Sequence, residues 1–362
     1  MLITQKLACF FIAATLYVPA SAADPVKDSP YLAKGRTEIL ENNNIALIGA
    51  ASSVSFGFRG DKCSVNVRAE DKTQHSNYVV IEVDGQYYSR NKVQPSGTKL
   101  FIMLPGNKIH SVSIYKATEA SVGTVVFVNA EGNITAAPNK PKKKIEFIGD
   151  SITCGMGNDV DEIPCGQGEW YDQHNAYYSY APITARALNA DYVLSSVSGI
   201  GIYRNWNDEH KTEPTMPDAY ANLYLNKDAS KKYDFGFVPD VTCIALGTND
   251  FSDGDGKKVR LPFNEDAYVA AYVAFINSVY THAPKTQVVL TDSPMVKGAK
   301  SATFIKCLNR VKDEVNKLPG HKPVEVFTYS DITPHGCGYH PQIEDDKLMA
   351  GELTQFLKKF LK

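Results

Sequence analysis

Four short segments in the second half of the chain combine residue types that can carry out acyl transfer. Ser151 follows the apolar run IEFIG and an aspartate, and Gly199 follows the run DYVLSSV. Asn249 lies in GTND after a third apolar run, and His340 lies in the late segment HGCGYHP. Together they supply a hydroxyl nucleophile, a backbone amide, a carboxamide and an imidazole. Acyl transfer needs this set, because the nucleophile must lose a proton and the oxyanion must be stabilised.

These four segments lie in a region where short apolar runs alternate with helical patterns. The runs IEFI, DYVLSSV, DVTCIAL, TQVVLT and VEVFTY are typical of strands in a parallel sheet covered on both faces. Helical spacing predicts helices over NEDAYVAAYVAFINSVY, with Asn264 as N-cap, over ATFIKCLNRVKDEVNKL, and over the last twenty residues. Parallel strands bring their carboxyl ends to one edge of the sheet. We therefore expect the four segments to meet at this edge.

The first half of the chain has a different pattern. From Gly35 to about Asn133, the runs SVSFGF, SVNVRA, YVVIEVDG, KLFIML, SVSIYKA and TVVFVNA alternate like half-buried strands, without a long amphipathic helix. This pattern predicts an all-β sandwich or jelly roll of about a hundred residues. We expect this domain over residues 30–137 and the α/β domain over residues 143–362, with ITAAPNKPKKK as the connector.

The first 22 residues have the pattern of a cleavable secretory signal peptide. Lys6 provides a positive start, residues 7–18 an apolar stretch too short to span a bilayer, and residues 20–22 a small-residue cleavage site. We therefore expect a secreted or periplasmic protein that begins near Ala23 and has no membrane span. The formal net charge of −2 gives no indication of a nucleic-acid partner.

The four segments resemble the conserved blocks of the SGNH (GDSL-type) hydrolases, namely GDS, a glycine in block two, GxND and a late histidine. The resemblance covers roughly residues 144–362 and includes all four blocks in order. With the preceding β-rich domain, the phrases YKATEA, SGIGIYRN and GCGYHP resemble more narrowly carbohydrate esterase family two. That family joins a jelly-roll domain to an SGNH domain and removes acetyl groups from plant polysaccharides such as xylan. The resemblance implies a flavodoxin-like three-layer catalytic domain that uses no metal or cofactor.

The resemblance also implies a role for each residue of the set. Ser151 would be the nucleophile, and His340 would be the general base and then the acid that protonates the departing alcohol. The Ser151 amide, the Gly199 amide and the Asn249 side chain would form the oxyanion hole, with Gly201 as the alternative to Gly199. We expect Asp150 to fix the turn that holds the nucleophile.

One position departs from the usual SGNH pattern. An aspartate usually precedes the histidine by two or three residues, and those positions are Gly338 and Cys337 here. We expect a Ser–His dyad in which a main-chain carbonyl near residue 338 accepts from the imidazole, with Asp331 as the nearest alternative acid. His335 is close enough in sequence to be a rival for the base.

Aromatic residues flank the expected site, and their faces could stack on sugar rings. Tyr203, just after block two, and Tyr339, beside the histidine, are the substrate-binding residues that we expect. Trp170 and Trp206 also lie nearby in the sequence. Because aromatic residues also pack in protein cores, each of them has a structural alternative.

Six cysteines follow the signal peptide, and an even number in an oxidising compartment permits disulfides. Cys154 and Cys165 enclose a short loop and are one expected pair. Cys307 and Cys337 are the other. Cys243 lies within the apolar run VTCIAL and is expected to be a buried free thiol.

These observations favour a secreted serine esterase that removes O-acetyl groups from xylan or glucomannan through an acetyl-enzyme. The alternatives are a lipase, thioesterase or other short-chain esterase on the same scaffold, and a glycan-binding protein without activity. The loops YRNWNDEHKTE and FSDGDGKK are markedly polar, which argues against a long acyl chain. The β-rich domain could be a carbohydrate-binding module, a lid over the cleft or a packing partner.

Overall fold

The structure is a computed structural model that describes residues 29–71, 75–137 and 141–361. The expected signal peptide lies outside these residues. Within the described part of the N-terminal half, nine strands form one antiparallel sheet system. The strands are β1 (Leu32–Lys34), β2 (Thr37–Ile39), β3 (Ile45–Leu47), β4 (Ser53–Glu70), β5 (Asn77–Val83), β6 (Gln86–Val93), β7 (Thr98–Met103), β8 (Ile109–Lys116) and β9 (Thr124–Thr135).

Strand β4 organises the β domain. The hydrogen-bonded order is β2-β3-β9-β4-β8-β5-β6, and β1 and β7 also pair with β4. Strand β4 pairs with β9 along both of its halves, and the register of this pairing shifts between Arg59 and Ser64. The sequence pattern predicts two separate strands here, SVSFGF and SVNVRA, and they are the two halves of β4. Phe56, Phe58 and Phe127 are fully buried in the core beneath it.

The C-terminal half is an α/β domain with a five-stranded parallel sheet. Its strands are β10 (Lys143–Gly149), β11 (Ala190–Ser196), β12 (Val241–Ala245), β13 (Gln287–Thr291) and β14 (Glu325–Phe327). Its helices are α1 (Ser151–Cys154), α2 (Tyr180–Ala187), α3 (Met216–Ala219), α4 (Glu265–His282), α5 (Gly298–Asn316) and α6 (Ile343–Leu357). Helix α4 begins as predicted, since the Asn264 side chain accepts a hydrogen bond from the Ala267 amide.

The strand order of this sheet fixes where a site can form. The order is β11-β10-β12-β13-β14, which is the flavodoxin-like arrangement, with the topological switch beside β10. Helices α2 and α6 pack together within the core on one face, and α4 and α5 pack together within the core on the other. The predicted fold class, an antiparallel β domain followed by a three-layer α/β domain, is confirmed. Crevices at the carboxyl ends of strands next to a switch are the usual ligand sites of such sheets.

Buried arginines dock the β domain against the α/β domain. Arg36, which is fully buried, donates from Nη1 to the Asn222 carbonyl at 2.6 Å and from Nη2 to Ser195 Oγ at 3.0 Å. Arg90 donates from Nε to the His174 carbonyl at 3.2 Å and from Nη2 to the Asp172 carbonyl at 2.5 Å. The β domain is therefore anchored to the loops around the parallel sheet. None of the helices in the described ranges is long and apolar enough to cross a membrane.

The cysteine pairing differs from the prediction. Cys165 and Cys337 form a disulfide, whereas Cys154 and Cys307, their expected partners, are free and fully buried. The predicted pairs were wrong because the positions of these thiols depend on the fold. Cys154 ends the helical turn after β10 and faces the core, and Cys307 lies on the buried side of α5, so neither thiol is available to a surface loop. Cys243 is a buried free thiol, as predicted.

Candidate active site

Ser151 and His340 meet at the carboxyl edge of the parallel sheet. Ser151 is the first residue of α1, directly after β10, and His340 lies in the loop before α6. His340 Nε2 lies 2.7 Å from Ser151 Oγ, which is hydrogen-bonding distance, although 189 positions separate the two residues in sequence. Both side chains are buried. The pair therefore has the geometry of a nucleophile and its base.

Two main-chain carbonyls hold the other nitrogen of the imidazole. His340 Nδ1 lies 3.0 Å from the Gly338 oxygen and 3.1 Å from the Cys337 oxygen. Carbonyl oxygens only accept hydrogen bonds, so Nδ1 carries the proton of the neutral ring and Nε2 is left to accept from Ser151. Gly338 and Tyr339 both have left-handed backbone conformations, with φ of 61° and 63°. This conformation is unstrained for glycine but unfavourable for tyrosine.

The environment keeps His340 neutral near pH 7. Burial lowers the pKa of His340 below its ordinary value of 6.5, and the contacts with the Gly338 and Cys337 carbonyls only partly oppose this. A neutral imidazole is the form that can accept a proton.

Neither alternative from the sequence joins the dyad. The Asp331 side chain is 91% exposed and pairs with Lys297 at 2.6 Å. His335 Nδ1 lies 2.9 Å from the Asp345 carboxylate, at the start of α6. The acceptor for the ring of His340 is therefore the backbone.

Asp150 shapes the turn on which Ser151 lies. Its carboxylate accepts a hydrogen bond from the Ile152 amide at 3.0 Å, which caps the single turn of α1. Burial raises the pKa of Asp150 to about 6. These contacts accord with the turn-fixing role that we expect for this residue.

Potential oxyanion donors surround the nucleophile. Gly199 has a left-handed φ of 77°, and its N–H meets no acceptor within the described residues. Asn249 Nδ2 donates one hydrogen to the Ile200 carbonyl at 2.8 Å, and a second hydrogen remains on this nitrogen. The Gly201 amide is already engaged with Asn205 Oδ1 at 3.0 Å. The geometry therefore favours Gly199 over Gly201.

The sequence analysis missed Asp250, which organises the loop after β11. Its fully buried carboxylate accepts from the backbone amides of residues 202–204 at 2.9 to 3.2 Å. Burial raises the pKa of Asp250 to about 6, against the lowering effect of these amide bonds. The aspartate that ends the GTND segment was the feature of the sequence that could have identified this role. Asp250 thus links block three to the loop that carries Gly199.

One cavity of about 580 Å³ lies at the carboxyl edge of the parallel sheet. Its lining includes Ser151, Gly199, Asn249 and His340. A volume of this size lies within the range of small-ligand pockets. Its apolar wall consists of Met156, Phe251, Met295 and Val296. The remaining lining includes Trp206, Ser252, Asp253, Lys297 and Lys300. Among the residues that the structure describes, no group of three histidine, cysteine or acidic side chains is arranged to hold a metal ion.

Comparison with known proteins places both halves of the chain. Residues 33–138 match the carbohydrate esterase 2 N-terminal family, and residues 147–326 match the GDSL-like lipase/acylhydrolase family. The structure of a family two carbohydrate esterase from Clostridium thermocellum in complex with cellohexaose superposes with a TM-score of 0.80 at 30% identity. This match covers 91% of this chain and 99% of that one.

The chain belongs to carbohydrate esterase family two.

Curated relatives of this esterase agree with the structural match. This chain is 31% identical over 345 residues to the cellulase/esterase CelE of Acetivibrio thermocellus. The match covers 93% of this chain but only 40% of CelE. An acetylxylan esterase / glucomannan deacetylase of Cellvibrio japonicus is 29% identical over 368 residues, which cover 98% of this chain and 96% of that protein. Family membership and the GDSL-like domain make the protein a carboxylic ester hydrolase.

The structure places the aromatic residues near the site in different surroundings. The Tyr203 ring packs against Phe263 and Tyr268, and its hydroxyl accepts from the Asn264 amide, so the residue lies outside the cavity lining. The Tyr339 side chain is 85% exposed beside His340 and also lies outside this lining. Trp206, which the sequence analysis noted but did not select, lines the cavity.

Proposed function

We propose that this esterase removes acetyl groups from plant cell-wall polysaccharide, such as xylan or glucomannan, through an acetyl-enzyme on Ser151. One observation carries the proposal: the 2.7 Å contact between His340 Nε2 and Ser151 Oγ, in a cavity also lined by Gly199 and Asn249. The same set of groups is what ester hydrolysis by a serine nucleophile requires.

In the first half-reaction, Ser151 Oγ attacks the carbonyl carbon of the acetyl ester while its proton passes to His340 Nε2. The imidazolium that forms keeps its Nδ1–H on the Cys337 and Gly338 carbonyls, which hold the ring in place. The tetrahedral intermediate then collapses. The bond to the sugar oxygen breaks, and that oxygen leaves with the proton from Nε2.

The oxyanion of the tetrahedral intermediate would lie against the Ser151 amide, the Gly199 amide and Asn249 Nδ2. These donors carry no net charge of their own, and they are held by backbone contacts before substrate binds. Preorganised donors of this kind typically contribute about 3 kcal/mol each to transition-state stabilisation.

In the second half-reaction, water attacks the acetyl-enzyme. His340 Nε2 accepts a proton from this water, and Ser151 Oγ leaves as the hydroxyl after taking the proton back. Acetate is released, and the dyad returns to its initial protonation state.

The character of the cavity supports a glycan that carries a small acyl group. Trp206, which is 45% exposed, offers an aromatic face for a sugar ring. Asp253 and Lys300 form an ion pair at 2.6 Å, and both line the same cavity. This ion pair limits the apolar surface that a long alkyl chain could contact to the wall formed by Met156, Phe251, Met295 and Val296, so the test below includes a long-chain ester. The two similar proteins of Cellvibrio japonicus, each named acetylxylan esterase / glucomannan deacetylase, support the same substrate class.

Acetate release tests the proposal. The purified chain is incubated with acetylated xylan, with acetylated glucomannan, and separately with p-nitrophenyl acetate and p-nitrophenyl decanoate. We expect rapid release of acetate from at least one polysaccharide, and p-nitrophenyl acetate cleaved far faster than the decanoate. Ser151→Ala is the matched control.

Two results would contradict the proposal. Rapid cleavage of decanoate with no acetate from either glycan would indicate a lipase or thioesterase. Binding of the polysaccharides without hydrolysis of any ester would indicate a glycan-binding protein.

We also propose that residues 1–22 are removed on export, which would give a secreted or periplasmic protein. The apolar stretch and small-residue site support this, and the Cys165–Cys337 disulfide suits an oxidising compartment. N-terminal sequencing of the exported protein should find a start near Ala23. A mature protein that begins at Met1 would contradict the proposal.

A further inference from the structure

A carboxylate from the β domain reaches the wall of the catalytic cavity. Glu119 lies just after β8, where it precedes a short 3₁₀ turn, and it is only 1% exposed. Its Oε2 accepts a hydrogen bond from the Ser198 amide at 2.7 Å, in the loop after β11. Its Oε1 accepts from the Ser121 hydroxyl. The carboxylate therefore bridges its own loop and the loop that carries Gly199.

The β domain holds the backbone of Glu119 firmly. Lys116 Nζ, which is fully buried, donates to the Glu119 carbonyl at 2.5 Å and to Thr118 Oγ1 at 3.0 Å. The Val122 amide donates to the same carbonyl at 3.2 Å. Because the backbone is fixed on the β domain, the side chain can act as a rigid support for the neighbouring domain.

The bond to Ser198 fixes the peptide that precedes the expected oxyanion donor. Glu119 holds the Ser198 amide, and the Trp206 amide donates to the Gly199 carbonyl at 2.8 Å. The Ser198–Gly199 segment is thus held on both sides, while the Gly199 N–H has no acceptor within the described residues. Removal of the carboxylate would release one of these two restraints.

The charge of Glu119 also acts on the base. The acceptors of His340 Nδ1 are uncharged carbonyls, and Glu119 is a nearby negative charge that raises the pKa of His340 against the larger effect of burial. The other titratable groups around the pair are Lys116 and Cys154 beside Glu119, and His174 beside His340. Burial lowers the pKa of His174 well below its ordinary value, so this ring is neutral during turnover.

We propose that Glu119 is a positioning residue for the ester hydrolysis proposed above. It fixes the Ser198–Gly199 segment so that the Gly199 amide faces the oxyanion. Its carboxylate makes no hydrogen bond to the His340 ring within the described residues, and it adds only a weaker, longer-range favourable charge to the imidazolium. The β domain is on this view part of the catalytic apparatus. The inference rests on the proposed chemistry at Ser151.

Two substitutions in the full chain separate the two contributions of Glu119. Glu119→Gln keeps an oxygen that can accept from Ser198 but removes the charge, whereas Glu119→Ala removes both. With p-nitrophenyl acetate as substrate, we expect kcat to fall about tenfold in Glu119→Gln and about a hundredfold in Glu119→Ala, with KM changed less than threefold. The acid limb of the kcat/KM profile should move to lower pH in Glu119→Gln, because the imidazolium loses a favourable charge.

Glu82→Gln is the matched control, since Glu82 is a β-domain carboxylate that accepts from the Tyr177 hydroxyl across the domain boundary at 2.8 Å. It should retain wild-type kcat and an unmoved acid limb. Equal losses in Glu82→Gln and Glu119→Gln would overturn the proposal, since domain docking alone would explain them. Folded Glu119→Ala with wild-type kcat would overturn it as well. Failure of the proposed function would be recognised by a different result, because Ser151→Ala would then retain activity.

Discussion

The two halves of this esterase use polar side chains in opposite ways. In the α/β domain, Ser151, Asn249 and His340 follow strand ends or lie in a loop, and each keeps hydrogen-bonding capacity directed at a shared cavity. In the β domain, Arg36 and Glu119 are fully buried. Arg36 donates to the backbone and a hydroxyl of the other half, and Glu119 accepts from the Ser198 amide of the other half and from the Ser121 hydroxyl of its own domain. The first set is arranged to act on a ligand and the second to hold loops in place.

It follows that both domains contribute to the geometry of the candidate site. A parallel sheet gathers its loops at one edge, but it does not by itself set the orientation of a single peptide within a loop. Contacts from the β domain restrain the segment around Ser198, and the disulfide restrains the segment before His340. Substitutions in the two sets should therefore differ in kind as well as in size.

The largest effect should come from the dyad itself. We expect Ser151→Ala to lower kcat by about 10⁴-fold or more, and Ser151→Ala/His340→Ala to be hardly worse than the single variant, because the two residues act as a unit. Initial rates with p-nitrophenyl acetate measure this. Multiplicative losses in the double variant would mean that the two side chains act independently.

Asn249→Ala should have the next largest effect, because it removes a neutral donor from the oxyanion without disturbing the base. We expect kcat to fall by about 10²- to 10³-fold, with little change in KM. Asn129→Ala, on the surface of the β domain, is the matched control. A change confined to KM would assign Asn249 to ground-state binding instead.

Arg36→Ala tests the docking of the β domain. Arg36 lies near the buried Glu146, and both contact Ser195 Oγ, so its removal leaves a buried carboxylate without its cation. We expect the free energy of unfolding to fall by about 3 kcal/mol in Arg36→Ala. Adding Glu146→Gln to this variant should restore part of the loss, because it removes the unpaired carboxylate. Denaturant unfolding measures both variants, with Arg59→Ala at an exposed site as the control. Equal stability of the two arginine variants would contradict the anchoring role.

Cys165→Ser tests the restraint on the histidine loop, because it breaks the disulfide and leaves the Cys337 carbonyl in place. We expect a loss of about 3 kcal/mol in unfolding free energy, since the disulfide closes a long loop, and a several-fold lower kcat. Peptide mapping without reductant should find Cys165 linked to Cys337 in Cys307→Ala. Loss of the crosslink in that variant would instead support the pairing predicted from sequence.

The smallest effect concerns the pH profile. Because His340 must be neutral to accept a proton and burial lowers its pKa, the midpoint of the acid limb of kcat/KM should lie below pH 6.5. A pH series from about 4.5 to 8 with p-nitrophenyl acetate measures this limb. A midpoint above pH 6.5 would contradict the direction of the shift.

Sequence patterns predicted much of the α/β domain for a physical reason. Buried parallel strands need apolar residues throughout, and each helix needs a cap and an apolar stripe, so Asn264 and the strand ends are visible in the chain. The same reasoning brought Ser151, Gly199, Asn249 and His340 to one edge. Strand β6 was missed because its sequence, QYYSRNKV, is largely polar.

The remainder depends on contacts between distant segments, which local patterns do not encode. Glu119 is an ordinary loop residue in YKATEA, and its role depends on how the β domain docks. The partner of Cys337 lies 172 residues away. Trp206 and Tyr203 are near neighbours in one loop, yet one lines the cavity and the other packs against Phe263, because the loop folds back on itself.

The carbonyls that orient His340 have a consequence for genetic surveys of this protein. Every amino acid supplies the same oxygen, so a library that replaces side chains one by one would keep both acceptor oxygens. It would affect them only indirectly, through the disulfide of Cys337 and the left-handed backbone of Gly338. Such a library would identify the side chains of Ser151 and His340 as essential but would not identify the carbonyl acceptors. Backbone chemistry, such as an ester in place of a peptide bond, would be needed to reveal the hidden participant.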